Sequence, residues 1–66
     1  MKRSDGRCSH FYNRTVFEGD NDTVHEEVAE YFREFPANAY QTTIKSATYF
    51  GDDRCEVVIE RLLSCD

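Results

Sequence analysis

The chain has no tryptophan, one proline, three glycines and only eight bases against thirteen acids, for a net charge of −5 over 66 residues. Phosphate attraction drives nucleic-acid affinity, so this balance excludes a DNA- or RNA-binding protein as the first reading. No stretch approaches the ~20 consecutive apolar residues of a membrane span. The opening segment, Met1 to Arg7, carries bases with no apolar run behind them and does not resemble a secretory signal, so a cytoplasmic location is expected. Three cysteines, Cys8, Cys55 and Cys65, form an odd set, which points to free thiols in a reducing compartment. The acceptor patterns Asn13-Arg14-Thr15 and Asn21-Asp22-Thr23 then match glycosylation sites only by chance. Size excludes a dinucleotide-binding fold, a barrel or a lidded substrate cleft. There is no internal repeat and no low-complexity segment.

What is present argues for a folded chain. Four tyrosines and five phenylalanines supply apolar bulk. A chain this short nevertheless buries only about 60% of its unfolded surface. Pairing with a partner or a second copy would help it. Charge is sorted along the sequence. Lys2, Arg3, Arg7 and Arg14 against Asp5 give residues 1–14 a charge of +3. Glu18, Asp20, Asp22, Glu26, Glu27, Glu30 and Glu34 against Arg33 give residues 18–34 a charge of −6.

Residues 1–7 read as a flexible basic tail, and residues 8–66 as a single small α+β domain. Cys8 to Phe17 is rich in aromatic and β-branched residues and reads as a strand, with Ser9, Phe11, Asn13, Thr15 and Phe17 facing the core. Glu18 to Asp22 is a polar turn. Thr23 and Glu26 fit a capping box, with Asp22 as the rival N-cap. Val24, Val28, Tyr31, Phe32 and Phe35 then fall within a sector of about 100° on a helix, which Pro36 stops. Tyr40–Phe50 and Arg54–Leu63 flank the turn-rich Gly51-Asp52-Asp53 and read as a hairpin, with Gly51 opposite Arg54 and Lys45 opposite Glu60. The order β-α-β-β closes most simply as a three-stranded antiparallel sheet, order 1-3-2, with the helix on one face. Phe11, Phe17, Ile44, Val57 and Ile59 complete the expected core with the helical stripe. The uncovered sheet face would present Tyr12, Val16, Ala47, Tyr49, Val58 and Leu62, mixed with Arg14, Lys45, Glu56 and Glu60. Of these, Tyr12, Val16, Tyr49, Val58 and Leu62 form the candidate dimer face, with pairing through the edge strands as the other route to a symmetric dimer.

Catalytic and cofactor motifs are absent. Cys8, His10, Cys55 and Cys65 reach the ligand count of a structural zinc, but no short knuckle joins them. Cys55 and Cys65 would stand about 30 Å apart on an extended strand. His10 and His25 lack an evident orienting carboxylate for a thiol nucleophile. No enzyme activity, metal or cofactor is expected. The acidic stripe Glu26, Glu27, Glu30 and Glu34, extended by Asp20 and Asp22, is the most informative feature. Acids in the first helical turn suit the macrodipole, and a solvated acidic face also keeps a protein soluble. The macrodipole does not account for Glu34 in the last turn, nor for the like-charge pairs Glu26/Glu30 and Glu30/Glu34, which leaves two readings: a face kept acidic for solubility and a docking face for a basic partner.

The layout from Phe11 to Glu60, a strand, an acidic amphipathic helix and a hairpin, resembles the small sporulation-protein family of Gram-positive bacteria and their phages. In size, acidity and lack of catalytic motifs the chain is similar to the small phage-encoded inhibitors of host defence, the anti-CRISPR proteins among them. That resemblance implies a non-enzymatic inhibitor in the host cytoplasm. Its acidic helix would occupy a basic, nucleic-acid-binding surface of a host protein complex. The alternative is a homodimeric structural or regulatory protein that uses the open sheet face, with the acids merely solvated.

Overall fold

The helix begins where a carboxylate can receive its first free amides. Asp20 is the N-cap of α1 (Asn21–Glu34), and its Oδ2 accepts the Thr23 amide at 3.0 Å and the Thr23 hydroxyl at 2.8 Å. The expected cap at Thr23 or Asp22 is corrected: both residues already lie inside the first turn, where backbone amides need an acceptor rather than supply one. At the far end the Phe35 amide returns to the Tyr31 carbonyl at 2.8 Å. Pro36 closes the helix there, as its position predicted. Pro36 then opens a single further turn, α2 (Ala37–Tyr40), which Gln41 ends in a left-handed conformation.

The structure, a computed structural model, describes residues 1–64, so the expectations placed on Cys65 lie outside the described residues. The strands are β1 (Lys2–Arg7), β2 (Tyr12–Asp20), β3 (Thr43–Gly51) and β4 (Arg54–Leu62). They form one antiparallel sheet in the order β1-β2-β4-β3. The predicted three-stranded core is present as β2-β4-β3, with the last strand in the middle. The correction is a fourth strand, because residues 2–7, expected as a loose tail, pair along β2 from Lys2↔Glu18 to Arg7↔Asn13. The first predicted strand also starts later than expected. Residues 8–11 make the β1–β2 turn, in which Ser9 Oγ accepts the Tyr12 amide at 3.2 Å, and this leaves Phe11 71% exposed instead of in the core.

The β3–β4 turn holds two aspartates, Asp52 and Asp53, both at positive φ (50° and 62°), preceded by Gly51 at φ 84°. Positive φ at both central positions suits the right-handed twist of a two-residue hairpin, and aspartate tolerates it better than most side chains. Gly51 opposes Arg54 as expected, but irregularities between Tyr49 and Gly51 and between Ile44 and Ser46 shift the rest of the register. Thr43, not Lys45, therefore faces Glu60, and Tyr49 faces Cys55.

Phe17, Val24, Tyr31, Cys55, Val57 and Ile59 form the buried core, with Val28, Phe32 and Phe35 packed against it. Ile44, expected there, is 47% exposed, because α1 lies over β2 and β4 and leaves most of the edge strand β3 uncovered. Gly19 is buried where the chain start passes closest, and a Cβ at this position would stand 3.1 Å from Met1 Cα.

The polar side of this core is a chain of hydrogen bonds that crosses four elements. Arg61 Nε donates to Tyr31 Oη at 2.9 Å, Tyr31 Oη and Thr15 Oγ1 are 2.9 Å apart, and Thr15 Oγ1 donates to Asp5 Oδ1 at 2.7 Å. Each hydroxyl has a single proton, so Thr15, already donating to Asp5, must accept from Tyr31. Removing the middle hydroxyl with Tyr31→Phe leaves the buried Thr15 oxygen and the Arg61 donor short of a partner. Loss of stability of about 1–3 kcal/mol is expected, read as a lower urea midpoint with helical circular dichroism retained in the absence of denaturant.

Candidate functional site

The acidic residues singled out in the sequence do not form one uniform stripe. Asp20 is occupied as the N-cap, and its two Thr23 hydrogen bonds hold its carboxyl below the ordinary carboxylate value. Glu30 binds Arg33 one turn on, in an ion pair whose side chains are both about two-thirds exposed and which therefore adds little stability. Glu34 lies toward β1, where its charge helps to raise the pKa of Arg3 behind the larger contribution of the Arg3–Asp5 hydrogen bond. Asp22, Glu26 and Glu27 meet no counter-ion among the described residues, and of these Glu27 is half-buried. The side of α1 away from the sheet thus keeps its charge near the N-terminus and is partly neutralised toward the C-terminus.

The fold adds acids that the linear sequence kept apart. The Asn21 amide donates to the Asp53 carbonyl at 2.8 Å, and Asn21 Nδ2 donates to Asp53 Oδ1 at 3.2 Å. These bonds dock the β3–β4 turn onto the start of α1, so Asp52 and Asp53 join Asp20 and Asp22 at one end of the molecule. On the outer sheet face at the same end, Glu18 and Glu56 stand directly opposite each other across β2 and β4. Like charges in that position are unfavourable. Lys2, which faces Glu18 from β1, makes no ion pair with it among the described residues. Sequence reasoning missed Asp52, Asp53 and Glu56 here. The available signal was the pairing of Gly51 with Arg54, which already fixed where the turn would fall.

The candidate dimer face is only partly assembled. Tyr12 faces Leu62 and Val16 faces Val58, so these four share the outer face of β2 and β4, each half-buried. Between the two apolar pairs runs an ion pair, Arg14 to Glu60 at 2.8 Å, with a second bond at 3.0 Å from Arg14 Nε. Glu60 thus takes its cation from β2, while Lys45 only shares with it a shallow depression that Tyr12, Gln41 and Thr43 also line. Tyr49 is not on this face, which is a correction. The irregularity before Gly51 turns it to the helix side, where its hydroxyl is 2.9 Å from His25 Nε2. The outer face is consequently interrupted by charge rather than continuously apolar.

The thiols and imidazoles stand apart. Cys8 is exposed and donates weakly to the Tyr12 carbonyl. Cys55 is buried, and desolvation pushes its thiol pKa up, the opposite of what a nucleophile requires. His10 lies edge-on to Phe11, and His25 edge-on to Tyr49. No three metal-ligating side chains come together among the described residues.

No helix among the described residues is long and apolar enough to cross a membrane. No family model, curated protein or solved structure matches the chain.

Acid should loosen two of these attachments. Asp5 is held below the ordinary carboxylate pKa mainly by its Arg3 hydrogen bond, and Asp20 by Thr23. A depressed folded-state pKa contributes stability that is complete above the unfolded value of about 3.9 and fades as pH falls through the folded value. The urea midpoint should therefore hold from pH 7 to about 5 and drop below about 4. Asp5→Asn and Asp20→Asn should each lower the neutral-pH midpoint and flatten that drop.

Proposed function

We propose that the protein is a non-enzymatic interaction module whose acidic end docks on a cationic surface of a protein partner. The observation that carries this reading is the docking of the Asp52-Asp53 turn onto the start of α1 through Asn21. It gathers acids from two distant parts of the chain onto one end, where Asp22, Glu26 and Glu27 already lack counter-ions among the described residues. Two cations border this end, Arg54 opposite Asp20 and the amino terminus, whose charge also acts on Asp20, and among the described residues neither makes an ion pair with Asp22, Glu26 or Glu27. Concentrated charge of one sign accelerates encounter with a complementary surface and makes the complex sensitive to salt.

A basic surface that normally holds nucleic acid is the partner of matching chemistry, because it is already built to receive a dense row of anions. In that role the chain would act, in the host cytoplasm, as a competitor for such a surface on a host protein complex. This is the manner of action implied by its similarity to small phage-encoded inhibitors of host defence. The residues assigned to the contact are Asp22, Glu26, Glu27, Asp52 and Asp53, with Glu30 and Glu34 at its margin. Asp20 serves mainly to start the helix.

The immobilised protein should capture basic nucleic-acid-binding proteins from a lysate at about 50 mM salt and release them at about 500 mM, where the screening length falls to roughly 4 Å. Charge reversal by Glu26→Lys with Glu30→Lys, both exposed, should reduce capture at least tenfold while leaving the circular dichroism spectrum unchanged. Equal capture by that double variant would remove the proposal.

A further inference from the structure

The two edges of the sheet are unlike. Edge strand β1 carries Lys2, Arg3, Asp5 and Arg7 in six residues, and charges of this kind keep an edge from pairing with another chain. Edge strand β3, Thr43–Gly51, carries one charge, Lys45, in nine residues. Every residue of β3 is exposed, including Ile44 at 47%, Tyr49 at 57% and Phe50 at 56%. A long edge of β-branched and aromatic residues with unpaired backbone groups is a template for strand addition. The helix does not shield it. Beyond its hairpin with β4, β3 has a side-chain tie to α1 in the His25–Tyr49 hydrogen bond, and Val28 and Phe32 on α1, packed against the core, remain only half-buried.

We infer that β3 is a homodimerisation edge, pairing antiparallel with β3 of a second copy about a two-fold axis near Ala47, so that the two sheets continue into one of eight strands. Charge selects a second copy in this arrangement. Head-to-tail addition of β3 to the β1 edge of another molecule would set Lys45 against a strand of net charge +2. It would also leave the chain of contacts open. Two-fold pairing of β3 with itself closes after one step. Centred on Ala47, it sets Ser46 opposite Thr48 within the stretch between the two irregularities of β3, and it keeps the two Lys45 residues about 14 Å apart along the strands, beyond the screening length of ~8 Å. The helices do not obstruct it, since α1 lies over β2 and β4. Two-fold pairing separates the helix axes by about four strand spacings, roughly 19 Å, against a helix diameter of about 10 to about 12 Å. The exposed Ile44 and Tyr49 of both chains then form the floor between them. The unpaired backbone groups of both β3 edges are satisfied in this arrangement, a gain for a 66-residue chain whose own core is marginal.

This inference is independent of the acidic docking end and differs from a dimer through the outer sheet face. Sedimentation equilibrium from about 10 μM to 1 mM should show a dimer whose share rises with concentration. Ala47→Lys places two ammonium groups together at the two-fold axis and should weaken dimerisation by more than about tenfold. Ser46→Lys, at another exposed position, serves if Ala47→Lys does not fold. Val58→Lys on the outer face, and Glu26→Lys with Glu30→Lys on the helix, should leave the dimer intact, while β3 amides should gain hydrogen-exchange protection with concentration. A monomer at 1 mM, or a dimer that survives both β3 variants and is broken by Val58→Lys, overturns it.

Discussion

One row of side chains ties most of the molecule together. Asp5 from β1, Thr15 from β2, Tyr31 from α1 and Arg61 from β4 each give one polar group to a continuous path from a guanidinium to a carboxylate. Because each hydroxyl has one proton, the donors all run in the same direction, from Arg61 toward Asp5, and such an aligned chain is strengthened by mutual polarisation. The ends are anchored as well. Arg3 binds Asp5 at 3.0 Å and lies over the rings of Phe17 and Tyr31, while Arg61 lies 3.7 Å from the centre of the Phe35 ring. Asn13 donates to Thr15 from within the buried layer at 3.3 Å. A small apolar core can specify one packing of helix on sheet when a path of this kind admits a single register for every element it crosses.

The strand that contributes nothing to this path is β3. Its attachments are the hairpin with β4 and the His25 contact at Tyr49, and its residues are exposed along their whole length. The asymmetry follows from where the helix lies. Tyr31 must reach Thr15 on β2 and Arg61 on β4, and that places α1 over the β2–β4 pair, too far from β3 to cover it. Polar order on one side of the sheet and a bare apolar edge on the other have the same cause.

Much of this arrangement was legible before any coordinates. The apolar spacing from Val24 to Phe35 gave the helix and its buried side, Pro36 gave its end, and Gly51-Asp52-Asp53 gave the hairpin and its first pair. β1 was not legible, because hydrophobic alternation is what marks a strand and Lys2–Arg7 has none. It is held by a cation over aromatic rings and by a carboxylate on a hydroxyl, interactions that depend on residues far along the chain. The side on which Tyr49 falls was lost to an irregularity in β3, since a shift of one residue reverses the face of everything beyond it. The acids were visible as a set. Their division into a capping group, a paired group and a free group was not, because that depends on which base each one meets in space.

The free acids and the bare edge do not compete for the same part of the molecule. Two-fold pairing through β3 would carry both α1 helices on the same side of an extended sheet, with axes about 19 Å apart, more than twice the screening length of ~8 Å at physiological salt. The exposed acids point away from the sheet, so their mutual repulsion across the axis would be weak. A cationic surface broad enough to meet both helices would then bind twice over, with the second contact made at the high effective concentration set by the first. A chain of marginal size would gain in this way both a continuous, longer sheet and a stronger hold on its partner.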